Sequence, residues 1–85
     1  MNKEEIAEIF KYCSPNSLVV VTYYNKLKEL YCPFPVRVKL DIGELKRGII
    51  VKVDAVKLST NGKTVFIVDG KAYYYFHFDI LIVSV

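Results

Sequence analysis

The sequence contains few of the residues from which metal, redox and phosphate-binding sites are built. Among its 85 residues are two cysteines, one histidine, four glycines, three prolines and no tryptophan. Cys13 and Cys32 lie far apart with a distant histidine, which is not the spacing of a zinc site, so we expect buried or partly buried free thiols and no metal. Gly43 and Gly48 lack the spacing of a phosphate-binding loop and are expected to lie in turns. No cofactor is therefore predicted.

Long apolar runs are also absent. The longest, Leu18–Val21 and Ile80–Val83, fall far short of the ~20 residues of a membrane-spanning helix. The segment Met1–Phe10 carries three glutamates and has no hydrophobic stretch of the kind found in signal peptides. We therefore expect a cytoplasmic protein in a reducing compartment, without a disulfide and without a membrane partner. The net charge of +3 is small for a dedicated nucleic-acid binder.

Apolar and aromatic residues are abundant instead, at 53% and 14%, and the chain length predicts one domain over residues 1–85. Residues 1–14 are predicted to form an amphipathic α-helix that docks on the rest of the domain. Asn2 and Glu5 have the spacing of a capping box, and Pro15 follows the expected end of the helix. The apolar face of the helix would consist of residues that recur at helical spacing: Ile6, Ile9, Phe10 and Cys13.

The remaining chain is typical of β-strands. Ser17–Tyr24 is β-branched and aromatic and predicts a buried strand, whereas Asn25–Leu30 fits either a helical turn or the second arm of a hairpin. Val36–Ile42 alternates apolar with polar residues and predicts a half-buried strand. In Ile49–Leu58 the alternation slips by one residue at Asp54–Ala55, which predicts one long, bent strand with a β-bulge.

Two pairs, Asn61-Gly62 and Asp69-Gly70, predict tight hairpins, because both residues of a two-residue hairpin loop commonly need φ > 0. If both loops have two residues, counting gives the opposite pairs: Leu58 with Val65, Lys57 with Phe66, Val56 with Ile67, Phe66 with Tyr73, and Thr64 with Tyr75. Alternation then assigns one set to the interior, namely Tyr74, Phe76 and Phe78 with Val65 and Ile67. The opposite face would carry Phe66, Tyr73, Tyr75 and His77.

These elements predict a mainly β fold: a small barrel of about five strands with one N-terminal amphipathic α-helix. Over residues 17–83 the chain resembles an SH3-like barrel. The resemblance rests on the strand Val36–Ile42, the loop Gly43–Gly48, the bent strand Ile49–Leu58, the Asn61-Gly62 hairpin and the final strands up to Val83. The ALYDY and SPxxY motifs of peptide-binding SH3 domains are missing, so the resemblance implies no proline-peptide binding. The C-terminal segment Ile80–Val85 would pair inside its own barrel, or else with a second copy.

The first candidate site is the stripe of Phe66, Tyr73, Tyr75 and His77. Left exposed, it would be a protein-interaction surface. Alternatively, the N-terminal helix covers it with Ile6, Ile9 and Phe10, which satisfies the need of both elements for an apolar neighbour.

The second candidate site is a basic face formed by Arg37, Lys39, Arg47 and Lys52, with Lys46 beside it. Small barrels bind RNA or single-stranded DNA when basic residues are interleaved with aromatic ones. Here Asp41, Glu44 and Asp54 interrupt the basic residues and no aromatic residue separates them, so a solvated barrel wall is favoured. Nucleic-acid binding would weaken steeply with salt.

Catalysis is not expected. His77 has Asp79 as a sequence neighbour, but such a pair also describes an ordinary surface hydrogen bond. The sequence therefore predicts a small, non-enzymatic module whose partner is a protein or a second copy of itself, with a nucleic-acid-binding barrel as the alternative.

Overall fold

The computed structural model describes residues 3–22 and 24–84. This part of the chain is mainly β and contains no α-helix. A single turn of 3-10 helix spans Tyr75–His77. The nine strands of these described residues are β1 (Lys3–Ser14), β2 (Ser17–Val21), β3 (Leu27–Tyr31), β4 (Phe34–Val38), β5 (Ile50–Val53), β6 (Ala55–Leu58), β7 (Thr64–Val68), β8 (Lys71–Tyr74) and β9 (Phe78–Ser84). This is more than the five or so strands that the sequence predicts.

The strands form two antiparallel sheets. A curled six-stranded sheet has the order β3-β2-β1-β9-β4-β5, and a three-stranded sheet has the order β6-β7-β8. Asp54 is the single residue between β5 and β6, and its backbone N–H donates to the carbonyl of Ile67 at 2.8 Å. The irregularity predicted at Asp54–Ala55 is therefore present, but it separates two strands of different sheets, where one long strand with a β-bulge was predicted.

The N-terminal segment is a strand, so the helix predicted over residues 1–14 is wrong. β1 pairs with β9 through Lys3–Ala7 and with β2 from Glu8 onward. Two register shifts interrupt the β1–β2 ladder, one between Ile9 and Lys11 and one between Tyr12 and Ser14. Each shift adds a residue to β1, and in such a strand apolar residues three apart can face the same side. Ile9 and Tyr12, three residues apart, both pack against the core, a spacing that a helix shares with a bulged strand; of the predicted helix face, Ile9 packs there while Ile6 and Phe10 are exposed.

The side chains of β1 are exposed and buried differently from those of the predicted helix. Ala7 is buried at 5% exposure, while Ile6 and Phe10, expected on the buried helix face, are 55% and 60% exposed. No α-helix in the described residues covers the sheet. The predicted capping residue Asn2 lies outside the described residues.

Each of the next two segments forms a strand. Of the two alternatives for Asn25–Leu30, the second arm of a hairpin is observed, since β3 pairs along the whole of β2 after a turn in which Asn25 has φ 59°. The strand predicted over Val36–Ile42 begins earlier, at Phe34, and ends at Val38. Leu40 is consequently 67% exposed, although the alternation placed it on the buried face.

Only one of the two predicted hairpin registers is correct. At Asp69-Gly70 both residues have positive φ (51° and 77°), and Phe66 pairs with Tyr73 as expected. At Asn61-Gly62 only Gly62 has positive φ, and the N–H of Ser59 donates to the carbonyl of Lys63 at 2.8 Å. The loop is therefore one residue longer than a two-residue turn, as in hairpins in which a glycine ends a three-residue loop. The β6–β7 ladder shifts by one residue, so that Val56 faces Phe66 and Leu58 faces Thr64.

The core lies between the two sheets. Phe66 is at its centre, fully buried, with ring centroids 5.6 Å from Phe34 and 6.0 Å from Phe78. The C-terminal strand β9 lies between β1 and β4, so it pairs inside its own sheet. Its residues Ile80, Leu81 and Ile82 are all at most 5% exposed, which shows that both of its faces are covered.

Candidate functional site

The run from Tyr73 to Phe78 does not alternate as the sequence predicts. Tyr74 and Phe76, expected inside, are 40% and 45% exposed, whereas Phe66, expected on the outer stripe, is fully buried. Tyr73 is half-buried and packs against the core. The assignment of Phe66 to an interaction surface is therefore wrong. Phe78 is buried as predicted.

Two features explain why the predicted alternation fails: β7 is apolar on both faces, and a 3-10 turn follows β8. β7 is apolar on both sides, and the face buried in the core is that of Thr64, Phe66 and Val68. Alternation alone could not choose between this face and that of Val65 and Ile67. The 3-10 turn Tyr75–His77 then ends the strand, so residues beyond Tyr74 no longer follow a two-residue period.

The structure gathers four rings on the outside of β8 and the 3-10 turn. We call Tyr74, Tyr75, Phe76 and His77 the aromatic surface. Tyr74 and Phe76 are stacked, with centroids 5.4 Å apart and an interplanar angle of 12°. Phe76 also meets Tyr75 edge to face at 5.7 Å and His77 at 4.6 Å. Two of these residues, Tyr75 and His77, belong to the predicted stripe.

A lysine and a loop border the aromatic surface. The Lys63 ammonium lies 5.9 Å from the centroid of the Tyr74 ring, within range of a cation–π interaction. At the start of β8, Lys71 forms an ion pair of 2.8 Å with Glu44. A hydrogen bond to Lys71 lowers the pKa of Glu44, and the same bond raises the pKa of Lys71. Gly43 lies beside the Tyr73 ring, where a methyl group would be 3.5 Å from the hydroxyl oxygen. The loop at residues 43–48 thus borders β8.

The four basic candidates do not form one patch with the aromatic surface. Lys39 forms an ion pair of 3.6 Å with Asp79. Arg37 is half-buried on β4, opposite Ile50. Lys52 is exposed on the neighbouring strand β5, opposite Pro35 and diagonal to Arg37. Arg47 is in the loop after β4, where its backbone N–H donates to the Asp41 carboxylate.

His77 and Asp79 are not arranged as a catalytic pair. The His77 ring packs on Phe76, and the Asp79 carboxylate is directed to Lys39. The 3-10 turn also removes the assumption that both side chains share one strand face. Within residues 3–22 and 24–84, no three histidine, cysteine or acidic side chains come together as a metal-binding group.

A cleft of about 570 Å³ opens beside the aromatic surface. It lies where β1 separates from β9, because their pairing ends at Ala7 and Ile80 and β1 continues along β2. The end of the β6–β7 hairpin forms the opposite side, and the residues that line the cleft include Glu8, Lys63, Thr64, Tyr75, Phe76 and Lys39. The site does not follow from the predicted fold, because a helix at the N-terminus would have separated Glu8 from the hairpin.

Cys32 is a half-buried free thiol, as predicted, and lies 4.0 Å from the carbonyl of Pro15. Burial raises the pKa of the Cys32 thiol, and the carboxylate of Asp54 raises it further. The Cys13 side chain lies outside the described part of the structure.

We expect Cys32 to react with iodoacetamide only at higher pH than an unperturbed thiol, because the thiolate is the reactive species. Asp54→Asn should move the pH profile part of the way back, and the matched change Asp41→Asn should leave it in place. Peptide mass spectrometry follows Cys32 separately from Cys13. A pH profile like that of an unperturbed thiol would contradict the raised pKa of Cys32. Equal shifts in both variants would contradict the contribution of Asp54.

No helix in the described residues has both the length and the apolarity to cross a membrane. Comparison of the chain with protein-family models, with curated proteins and with solved structures gives no match.

Proposed function

We propose that this chain is a small, non-enzymatic protein-interaction module of the cytoplasm that binds its partner through the aromatic surface. The observation that carries the proposal is the exposure of three large rings, two of which contact the third: Tyr75 at 39% and Tyr74 at 40% both contact Phe76, at 45%. Single exposed apolar side chains are ordinary on protein surfaces, whereas contiguous groups mark interaction sites.

The arrangement of the rings suits protein binding. Because Tyr74 is stacked on Phe76 and Tyr75 meets Phe76 edge to face, the three side chains are already ordered before a partner arrives. Ordered aromatic side chains lose little conformational entropy on binding, and they are among the residues that dominate interface energies. Tyrosine adds a hydroxyl that hydrogen-bonds at the rim of an interface.

We also propose that the architecture is a small SH3-like barrel in which β1 takes the place of the predicted helix. Its support is the strand pair β5–β6, which bends from one sheet into the other at Asp54, together with the curled larger sheet and the consecutive β6–β7–β8 hairpins. In this arrangement the aromatic surface lies at one end of the smaller sheet.

The test compares the wild type with the double variant Tyr74→Ser, Phe76→Ser. We expect the variant to bind the wild-type partner, or a second copy of the chain, about thirtyfold more weakly, since loss of a central aromatic contact removes about 2 kcal/mol or more. Quantitative pull-down, followed by titration of the captured protein and by light scattering, measures this loss.

The matched control is Leu27→Ser, which removes a 59% exposed apolar side chain from the edge strand β3. It should leave binding unchanged. Retention of the partner by the double variant, or equal loss in the control, would contradict the proposal.

Nucleic-acid binding is the competing function. The observation that favours it is the Lys63 ammonium over the ring of Tyr74, which is itself stacked with Phe76. It predicts that a single-stranded oligonucleotide binds the wild type and that raising the salt concentration weakens binding steeply. A fluorescence titration at two salt concentrations distinguishes the functions. Strong, salt-sensitive binding that Lys63→Gln weakens would replace the protein-interaction proposal.

A further inference from the structure

We propose that the cleft between β1 and the β6–β7 hairpin binds a small zwitterion with an aromatic or branched apolar body, the chemistry shared by free amino acids and very short peptides. This inference goes beyond the proposed function, because its ligand is a small molecule and its site is the cleft. Three features of the cleft lead to it: a buried hydroxyl, two separated charges and an apolar floor.

The buried hydroxyl belongs to Thr64. This residue lines the cleft and is only 9% exposed. Within the described part of the chain, the Thr64 side chain has no hydrogen-bond partner. A buried hydroxyl without a partner is unfavourable, and most buried polar groups in proteins are hydrogen-bonded. A polar group of a ligand in the cleft would meet this need, since a hydroxyl both donates and accepts.

The charges around the cleft are of two kinds. Lys39 and Asp79 neutralise each other in an ion pair of 3.6 Å. Glu8, on β1, and Lys63, on the hairpin, line the same cleft, and neither forms an ion pair with another described residue. One acidic and one basic residue therefore lie on opposite sides of the cleft. A ligand with its own ammonium and carboxylate complements both.

The floor and the aromatic wall accept an apolar body. Ala7, Phe78 and Ile80 contribute to the lining and are each at most 5% exposed, and Tyr75 and Phe76 stand beside them. The volume of about 570 Å³ falls within the range of about 300–1,000 Å³ common for small-molecule sites. An aromatic amino acid, with both charged groups on its α-carbon and an apolar ring beyond them, and a very short aromatic peptide both carry this set of groups.

The experiment titrates the full chain with L-phenylalanine, phenylpropionate and phenethylamine, followed by two-dimensional NMR of the backbone amides. Phenylpropionate lacks the ammonium group, and phenethylamine lacks the carboxylate. We expect L-phenylalanine to bind tightest, with saturable shifts confined to the cleft residues of β1, β9 and the hairpin. The dipeptide Phe-Gly, added as a fourth probe, distinguishes the two sources: tighter binding of the dipeptide assigns the site to short peptides, and tighter binding of phenylalanine assigns it to free amino acids.

Charge variants test whether Glu8 binds the ammonium group of the ligand and Lys63 its carboxylate. Glu8→Gln should weaken L-phenylalanine and phenethylamine about two- to fivefold and leave phenylpropionate unchanged, because partly exposed ion pairs are of modest strength. Lys63→Gln should show the reverse pattern, weakening L-phenylalanine and phenylpropionate only. Equal effects on all three probes would overturn the proposed orientation and with it the zwitterion.

The hydroxyl is tested with Thr64→Val, which preserves the shape of the side chain. We expect a loss of L-phenylalanine affinity of about two- to tenfold, the range for one neutral hydrogen bond. The same change at the exposed Thr60, in the loop of the same hairpin, should have no effect. The proposal fails if Thr64→Val binds L-phenylalanine like the wild type, or if no probe gives saturable shifts in the cleft at millimolar concentration.

Discussion

Replacing Phe66 with alanine is expected to lower the free energy of unfolding by about 3–5 kcal/mol, the usual cost of truncating a buried phenylalanine. The ring is fully buried and contacts Phe34 edge to face at 5.6 Å and Phe78 at 6.0 Å. Its removal therefore leaves a cavity between the two sheets that neighbouring strands can fill only in part. Guanidinium-induced unfolding, followed by circular dichroism, measures the change.

The matched control is Phe76→Ala, which removes the same side chain from the aromatic surface. Phe76 is 45% exposed, so its truncation creates no closed cavity, and we expect a change below about 1 kcal/mol. The comparison tests whether Phe66, and not Phe76, lies in the core. Similar losses at the two positions, or a larger loss at Phe76, would show that the core assignment of Phe66 is wrong.

The features predictable from the sequence are those set by neighbouring residues. Asp69-Gly70 adopts the two positive φ values that its residue types favour, and the register of Phe66 with Tyr73 follows. The slip of the alternation at Asp54–Ala55 marks the point where β5 gives way to β6. In both cases the local backbone geometry determines the outcome, and the local sequence encodes that geometry.

Two features were not predicted from the sequence: the length of one loop and the choice of the buried face of β7. At Asn61-Gly62 the same kind of residue pair forms a longer loop, because only Gly62 adopts a positive φ. In β7 both faces are apolar, and only the packing of Phe66 against Phe34 and Phe78 determines which one is inside. Local patterns contain no information about that choice.

The candidate site was predicted only in part for the same reason. Tyr75 and His77 were named from the aromatic run, and the structure places both on the aromatic surface beside Phe76. The cleft is formed by residues far apart in the chain, Glu8 on β1 and Lys63 and Thr64 on the hairpin. Their proximity depends on β1 being a strand, which its two register shifts conceal in the sequence.

Ala7→Asp is expected to lower the free energy of unfolding by about 3–5 kcal/mol near neutral pH, because it places an unpaired charge in the core. Ala7 is 5% exposed, pairs with Ile80 of β9 and belongs to the core cluster. In the amphipathic helix that the spacing predicts, Ala7 is not among the residues of the buried face, and a charge there would be tolerated. Chemical denaturation of the variant therefore distinguishes the strand from the helix.

The matched control is Ala72→Asp on β8, where the alanine is exposed and the new carboxylate stays in water. We expect a change within about 0.5 kcal/mol there. The two variants should also differ in their pH dependence. Burial would raise the folded-state pKa of the new Asp at position 7 above its unfolded value, so the folded state would bind more protons, and the variant would lose stability as the pH rises through that interval. Below the unfolded pKa both states are protonated and the charge penalty disappears. Equal stability of the two variants at neutral pH, or a loss at position 7 that does not change with pH, would contradict the placement of Ala7 in the core and the strand assignment of β1 that depends on it.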